Sequence, residues 1–200
     1  GCVIGGWLGI DSARVDALHL SGFGLRPVDM TPKTPAEAAW VQRAAFTRDT
    51  ETAYMQLQGT KPPSLALAMM DSPMGVAAWF AEKFHGWSDR HGSDEPPYDF
   101  DMLLTNTMIY LTTRSFFSAT WIYRGMFLEG GFTIPDGRRI DVPTGVAAFP
   151  HDLLLFPPRS MVERGYNVVH WTDMPRGGHF ASLEEPELFL ADLRAFVAGL

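Results

Sequence analysis

Two hundred residues, 46% hydrophobic and 12% aromatic, suffice for one large domain, or one domain with a sizeable insertion, and exclude a disordered chain. The net charge of −7, with no basic run, argues against nucleic acid or an anionic membrane as a partner. The single cysteine, Cys2, excludes an internal disulfide and a Cys-rich zinc site; without a bilayer-length apolar run or a charged-then-apolar leader, the expectation is a soluble cytoplasmic protein.

The chain opens with Gly1-Cys2-Val3-Ile4-Gly5-Gly6-Trp7-Leu8, which reads as the middle of a helix whose upstream strand is missing. Its glycines lack the G-x-G-x-x-G spacing of a phosphate loop. Arg14 to Leu20 reads as a first strand ended by Ser21-Gly22, with His19 as a core histidine. Thr34-Pro35-Ala36-Glu37 is a capping box with proline at the first helical position, and it predicts a helix to about Tyr54. Gly59-Thr60-Lys61-Pro62-Pro63 breaks it. Ser64 to Met70 is a short helix, and Ser72-Pro73 starts another that reaches about Phe84.

His85 to Pro97, polar and rich in Gly, Pro and Asp, is expected to be a surface loop on which His85 and His91 are solvated. Asp101–Tyr110 and Ser115–Met126 read as two more helices. Met69, Met70, Met74 and Met126 read as core filler, Glu82-Lys83 as a solvated helix face, and Tyr98, Tyr110 and Tyr166 as structural. Strand signals return at Val142–Phe149 and Tyr166–Trp171, and Leu188 to Leu200 has helical spacing. The pattern is therefore a parallel α/β sheet interrupted, after its first strand, by a helical insertion of on the order of a hundred residues. Ligands of open α/β sheets bind beyond the carboxyl ends of the strands, where such an insertion becomes a lid.

Two residues stand at those ends. Asp152 follows one strand and His179, in Arg176-Gly177-Gly178-His179-Phe180, follows the next. Side chains so placed project into one crevice, where the carboxylate can hold the imidazole tautomer. The alternatives are a helix-capping Asp152 and a solvated His179, and the adjacent His151 must face away if Asp152 faces the site. Acid before histidine is the chain order of an α/β-hydrolase, yet no G-x-S-x-G setting surrounds Ser12 or Ser21 and no elbow precedes Cys2.

The stretches Tyr54-Met55-Gln56-Leu57-Gln58-Gly59-Thr60-Lys61-Pro62, Asp71-Ser72-Pro73-Met74-Gly75-Val76-Ala77-Ala78-Trp79 and Glu82-Lys83-Phe84 resemble the cap of microsomal-type epoxide hydrolases. Leu103-Leu104-Thr105-Asn106, Val142-Pro143-Thr144-Gly145 and the His179 loop with Glu184-Glu185-Pro186-Glu187 are similar to the same family, over about Gly1 to Leu200. The resemblance implies an α/β-hydrolase fold: residues 1–30 part of the core, 31–130 a helical cap, and 131–200 the C-terminal part of the core.

It also implies conversion of an epoxide and water to a vicinal diol through an aspartyl ester. His179 is then the water-activating base and Asp152 its charge-relay carboxylate. Tyr54 and Tyr123, the latter in Trp121-Ile122-Tyr123-Arg124, grip the epoxide oxygen. Phenols remain protonated at neutral pH and donate strongly to such an oxygen. In the family the nucleophile lies in a Gly-Gly-Asp-Trp-Gly elbow, whose last residue Gly1 matches, so the aspartate, the His-Gly-x-Pro loop and the first strands are expected upstream.

The implied partners are a small apolar epoxide and the N-terminal half of the same protein, with a homodimer left open. No metal or organic cofactor is called for. Detoxification or aromatic hydrocarbon catabolism is the implied setting. The rivals are a haloalkane dehalogenase or esterase, and a non-catalytic ligand-binding relative. Paired tyrosines favour epoxides over halides, for which Trp or Asn donors are more natural.

Overall fold

The computed structural model of the chain describes residues 15–200; the readings of Gly1 to Leu8, Ser12 and Arg14 fall outside the described residues. Three parallel strands, β1 (Leu18–Leu20), β2 (Ile140–Ala148) and β3 (Tyr166–Asp173), lie side by side in that order. A parallel strand between two neighbours is covered on both faces, and Ile140, Val146 and Ala147 of β2 are fully buried. Pro143 has no amide hydrogen to give, and the β2–β3 register shifts between Ile140 and Pro143. Leu18, Leu20, Ile140, Val142, Val146 and Val168 join Phe23, Ile134 and Tyr166 in one core, where the Tyr166 hydroxyl donates to the Leu25 carbonyl at 2.6 Å.

Between β1 and β2 the chain is helical. It leaves and re-enters the sheet layer at a bridge between Arg26 and Thr133, where Arg26 N donates to Phe132 O and Ile134 N to Arg26 O. The helices are α1 (Pro35–Glu51), α2 (Ala53–Thr60), α3 (Pro62–Met70), α4 (Pro73–Trp87), α5 (Phe100–Thr112) and α6 (Ser115–Leu128). After the sheet resumes, short helices α7 (Arg159–Val162) and α8 (Ala181–Glu184) precede α9 (Pro186–Ala198).

Four expectations change. The helix predicted to reach Tyr54 stops at Glu51: Thr52 sits at φ −105°, ψ 14° with its hydroxyl bonded to the Arg48 carbonyl, so Tyr54 belongs to α2. Helix α3 starts at Pro62 rather than Ser64, since the first turn needs no amide hydrogen. Helix α4 runs on to Trp87, and Trp87, Ser88 and Asp89 are buried, so the expected surface loop begins with an interior segment. Met74 is exposed and fills no core.

The junction between α1 and the sheet layer rests on Glu37. Thr34 caps α1 by accepting from Glu37 N, but the Glu37 carboxylate turns inward, where it accepts from Lys33 N at 2.6 Å, Ser160 Oγ at 2.6 Å and Arg164 Nη2 at 2.7 Å. The Ser160 hydroxyl, the Lys33 amide and Arg164 together hold the Glu37 carboxyl at about 2 despite its burial. A carboxyl titrating near 2 when folded and about 4.3 when unfolded contributes stability that is complete above the unfolded value and is lost as the pH falls through the folded one. Glu37→Gln should therefore lower the melting temperature by several degrees at neutral pH and flatten its acid dependence between about pH 4.5 and 2. Thermal unfolding of both proteins across that range is the check, and parallel acid limbs would contradict it.

Candidate active site

The register of β2 against β3 continues past the strand ends. Met174 N donates to Ala148 O, His151 N to Gly177 O, and His151 pairs with Gly178, which sets residue 152 beside residue 179. His151 faces outward with its side chain 62% exposed, as alternation along an extended strand requires. Gly177 takes φ +109°, open to glycine at little cost. Gly178 is pressed so close to α4 that a Cβ there would lie 2.6 Å from the Trp87 carbonyl oxygen and 2.7 Å from Asp89 N.

His179 Nδ1 lies 2.7 Å from Asp152 Oδ1. An ionised carboxylate only accepts, so Nδ1 carries the proton and Nε2 is the basic nitrogen. The Asp152 side chain is fully buried while that of His179 is 32% exposed. Oδ1 also accepts from Leu154 N at 3.1 Å, and no helix follows for Asp152 to cap. Oδ2 is buried without a partner among the described residues.

Two further buried carboxylates, which the sequence reading missed, build the loop. Glu184 Oε2 accepts from Asp89 N at 2.7 Å and Gly178 N at 2.8 Å, and Oε1 accepts from Phe180 N at 2.7 Å. Asp89 Oδ2 accepts from Gly177 N at 2.9 Å, and His179 N donates to Trp87 O. Burial pushes the Asp89 carboxyl up, but the Gly177 and His91 amides and the His151 and His91 rings outweigh it and leave it below the usual aspartate value. His91 is thus more than solvated: its ring lies 3.3 Å from both Asp89 and Glu185.

From the helical layer, Tyr54 of α2 and Tyr123 of α6 meet edge to face, ring centroids 5.4 Å apart. Gly59 permits this approach, because a Cβ there would fall inside the Phe127 ring contact at 2.3 Å. Tyr54 packs on Trp87 at 5.2 Å, and Trp87 on the His179 ring at 5.4 Å. Phe180 stacks on Phe84 at 4.1 Å. Tyr54, Tyr123, Trp79, Trp87 and Phe180 line a cavity of about 940 Å³. The two tyrosines therefore share a cavity, and His179 stands behind Trp87 and Phe180 rather than in its wall. Tyr110, read as structural, lines the same space. On the other side of this aromatic cluster, Met55, Phe127, Phe132 and Leu153 line a second cavity of about 380 Å³. Lys83 is not on a solvated face: its side chain is 17% exposed, its ammonium lies among aromatic rings, and it too lines the larger cavity. Among the described residues no cluster of His, Cys, Asp and Glu could hold a metal.

No family model matches the chain. Epoxide hydrolase 1 of Oryctolagus cuniculus is 38% identical over 154 residues, 74% of this chain and 34% of that protein. Epoxide hydrolase 1 of Sus scrofa is 35% identical over 166 residues, 80% of this chain and 37% of that protein. The solved structure of Aspergillus niger epoxide hydrolase superposes with a TM-score of 0.81 at 29% identity, covering 100% of this chain and 50% of that one. The chain thus spans about a third of the length of these curated relatives and half of the solved chain.

Because backbone atoms of α4 face Gly178, Gly178→Ala cannot be absorbed by a side-chain rotation. The expected result is displacement of the His179 loop and loss of the far-downfield proton NMR signal of the His179–Asp152 bond. Gly86→Ala, where a Cβ meets nothing within 4 Å, should keep that signal and gain up to about 1 kcal/mol as a helical Gly→Ala change.

Proposed function

The chain belongs to the epoxide hydrolase family and carries the α/β-hydrolase fold with a helical cap; from that premise we propose that the protein containing it opens epoxides with water to give vicinal diols. In this reading residues 1–30 and 131–200 belong to the core and 31–130 form the cap. The observation that carries it is the succession of ring contacts Tyr123–Tyr54–Trp87–His179, ending on the His179–Asp152 hydrogen bond.

The nucleophile in this proposal is an aspartate preceding Gly1 in the full protein. Its carboxylate oxygen attacks an epoxide carbon, the carbon–oxygen bond of the ring breaks, and the released oxygen takes a proton from Tyr54 or Tyr123 as it becomes a hydroxyl. The ester left behind is then hydrolysed. His179 Nε2 removes a proton from water as the hydroxide adds to the ester carbonyl, Asp152 stabilises the imidazolium, and that proton passes to the departing alkoxide, while the proton of the carboxylic acid so formed returns to the tyrosinate left by the first step. Free aspartate and diol result. The aromatic lining of the larger cavity favours a small apolar, aromatic-sized epoxide. Detoxification or catabolism of such epoxides in the cytoplasm belongs to the same proposal; among the described residues no helix is long and apolar enough to cross a membrane.

The test uses the full-length protein and styrene oxide. His179→Gln should still be alkylated, giving one covalent adduct per chain by mass spectrometry, while diol turnover falls at least about a thousandfold. Tyr54→Phe and Tyr123→Phe should instead slow adduct formation, each by about 10²–10³. Diol release by His179→Gln at the wild-type rate would refute the assignment of the base. Preferential hydrolysis of a haloalkane or carboxylic ester would move the protein to another α/β-hydrolase activity.

A further inference from the structure

Helix α4 carries Trp79, Lys83 and Trp87 four residues apart, so their side chains rise along one face. The Lys83 ammonium lies 5.3 Å from the Trp79 ring centroid, 5.3 Å from Trp87 and 5.4 Å from Tyr54. All three separations are within the range at which a cation is attracted by an aromatic quadrupole. The carboxylate of Glu82 completes the surroundings at 2.6 Å, but it is 59% exposed and turned to solvent, whereas the Lys83 side chain is 17% exposed. Among the described residues lining the larger cavity, Lys83 is the sole charged side chain.

A positive charge held against the ring of a phenol favours its anion over its neutral form and makes its hydroxyl the stronger donor. The effect grows where the cavity wall excludes water. We propose that Lys83 is a positioning residue that acts through Tyr54: Trp79 and Trp87 fix its ammonium against the Tyr54 ring, lowering the proton affinity of that hydroxyl and strengthening its grip on the epoxide oxygen. This consequence for turnover rests on the proposed epoxide chemistry; the effect on the phenol does not. Trp79 and Trp87 cannot substitute for the charge, since they supply the cage and carry none.

Other groups facing Tyr54 are constant across the comparison. Tyr123 of α6 meets the Tyr54 ring directly, Arg124 of α6 donates to the Gly59 carbonyl of α2, and the Glu51 carboxylate of α1 accepts at 3.2 Å from the indole of Trp87, which packs on Tyr54. Glu82 lies on α4 and His179 behind Trp87. Glu51 and Glu82, being negative, work against the phenolate, and Lys83 is the cation set over the Tyr54 ring that opposes them.

The test is the pH titration of Tyr54 in the full-length protein, read by NMR of ring-labelled tyrosine and assigned with Tyr54→Phe. Lys83→Met should raise the titration midpoint of Tyr54 by about one unit and slow adduct formation with styrene oxide about tenfold. KM should change little, and Lys83→Arg should restore both quantities. If Lys83→Met fails to fold, Lys83→Gln replaces it, neutral yet of similar length. An unmoved midpoint in the neutral variant, or equal losses in the Met and Arg variants, would overturn the proposal and leave Lys83 as packing. A midpoint that moves as expected in a protein that opens no epoxide would uphold the action of Lys83 on Tyr54 and refute the proposed function instead.

Discussion

The geometry of the candidate site depends on Glu184 and Asp89, whose buried carboxylates gather backbone amides from two distant segments. Three hydrogen bonds cross the seam between the end of α4 and the His179 loop: Asp89 N to Glu184, Gly177 N to Asp89, and His179 N to the Trp87 carbonyl. A buried carboxylate is costly unless its oxygens are saturated, and here amides that have no other partner do the saturating. The two needs are met at once. The helical layer and the His179 loop are thereby joined, and Trp87, the ring between Tyr54 and His179, sits at the joint. Any movement that lifted the helices away at this point would break all three bonds.

Much of this was legible in the sequence, for reasons that are local. Thr34 and Ser72 announced the starts of α1 and α4 because capping is decided within four residues, and both side chains accept from the third amide ahead. Asp152 and His179 were placed by counting strand ends, and the structure sets them 2.7 Å apart. What stayed hidden was non-local. The stretch from His85 onward reads as polar and therefore as surface, yet Asp89 is interior because Gly177 and His91 amides bind it. Glu37 has the spacing of a capping box but is drawn inward by Ser160 and Arg164, residues well over a hundred positions away. Lys83 shows the same limit. The four-residue spacing of Trp79, Lys83 and Trp87 is in the sequence, but that the α2 ring of Tyr54 closes the cage is not.

Another histidine–carboxylate arrangement, around Asp192, contrasts with the His179–Asp152 pair. On α9, Asp192 bonds His19 Nε2 of β1 at 2.8 Å and His170 Nε2 of β3 at 2.8 Å, and accepts from the Thr172 hydroxyl. Burial raises the Asp192 carboxyl, and the Thr172, His170 and His19 hydrogen bonds more than reverse this, so it lies below the usual aspartate value. Both rings are consumed in joining one helix to two strands. The His19 side chain is only 7% exposed and is flanked by Phe189 and Phe196, which leaves no room for a reacting molecule at its edge.

His179 has the opposite disposition. Its Nδ1 alone meets the carboxylate, its side chain is a third exposed, and its ring meets Trp87 and Phe180 in near-perpendicular contacts. His19 and His170 are fasteners because the Nε2 of each ties α9 to a strand through Asp192. A histidine oriented through Nδ1 and bordered by aromatic rings leaves Nε2 open to a reacting molecule while its neighbours limit the water that reaches it. The same pair of residue types thus serves two places in the fold differently, and the difference lies in exposure and in the neighbours of the ring. At the carboxyl ends of β2 and β3 those neighbours are Trp87 and Phe180, and the ring contacts continue through Trp87 to Tyr54 and Tyr123, so His179 and the two tyrosines are held by one run of packed rings rather than by separate supports.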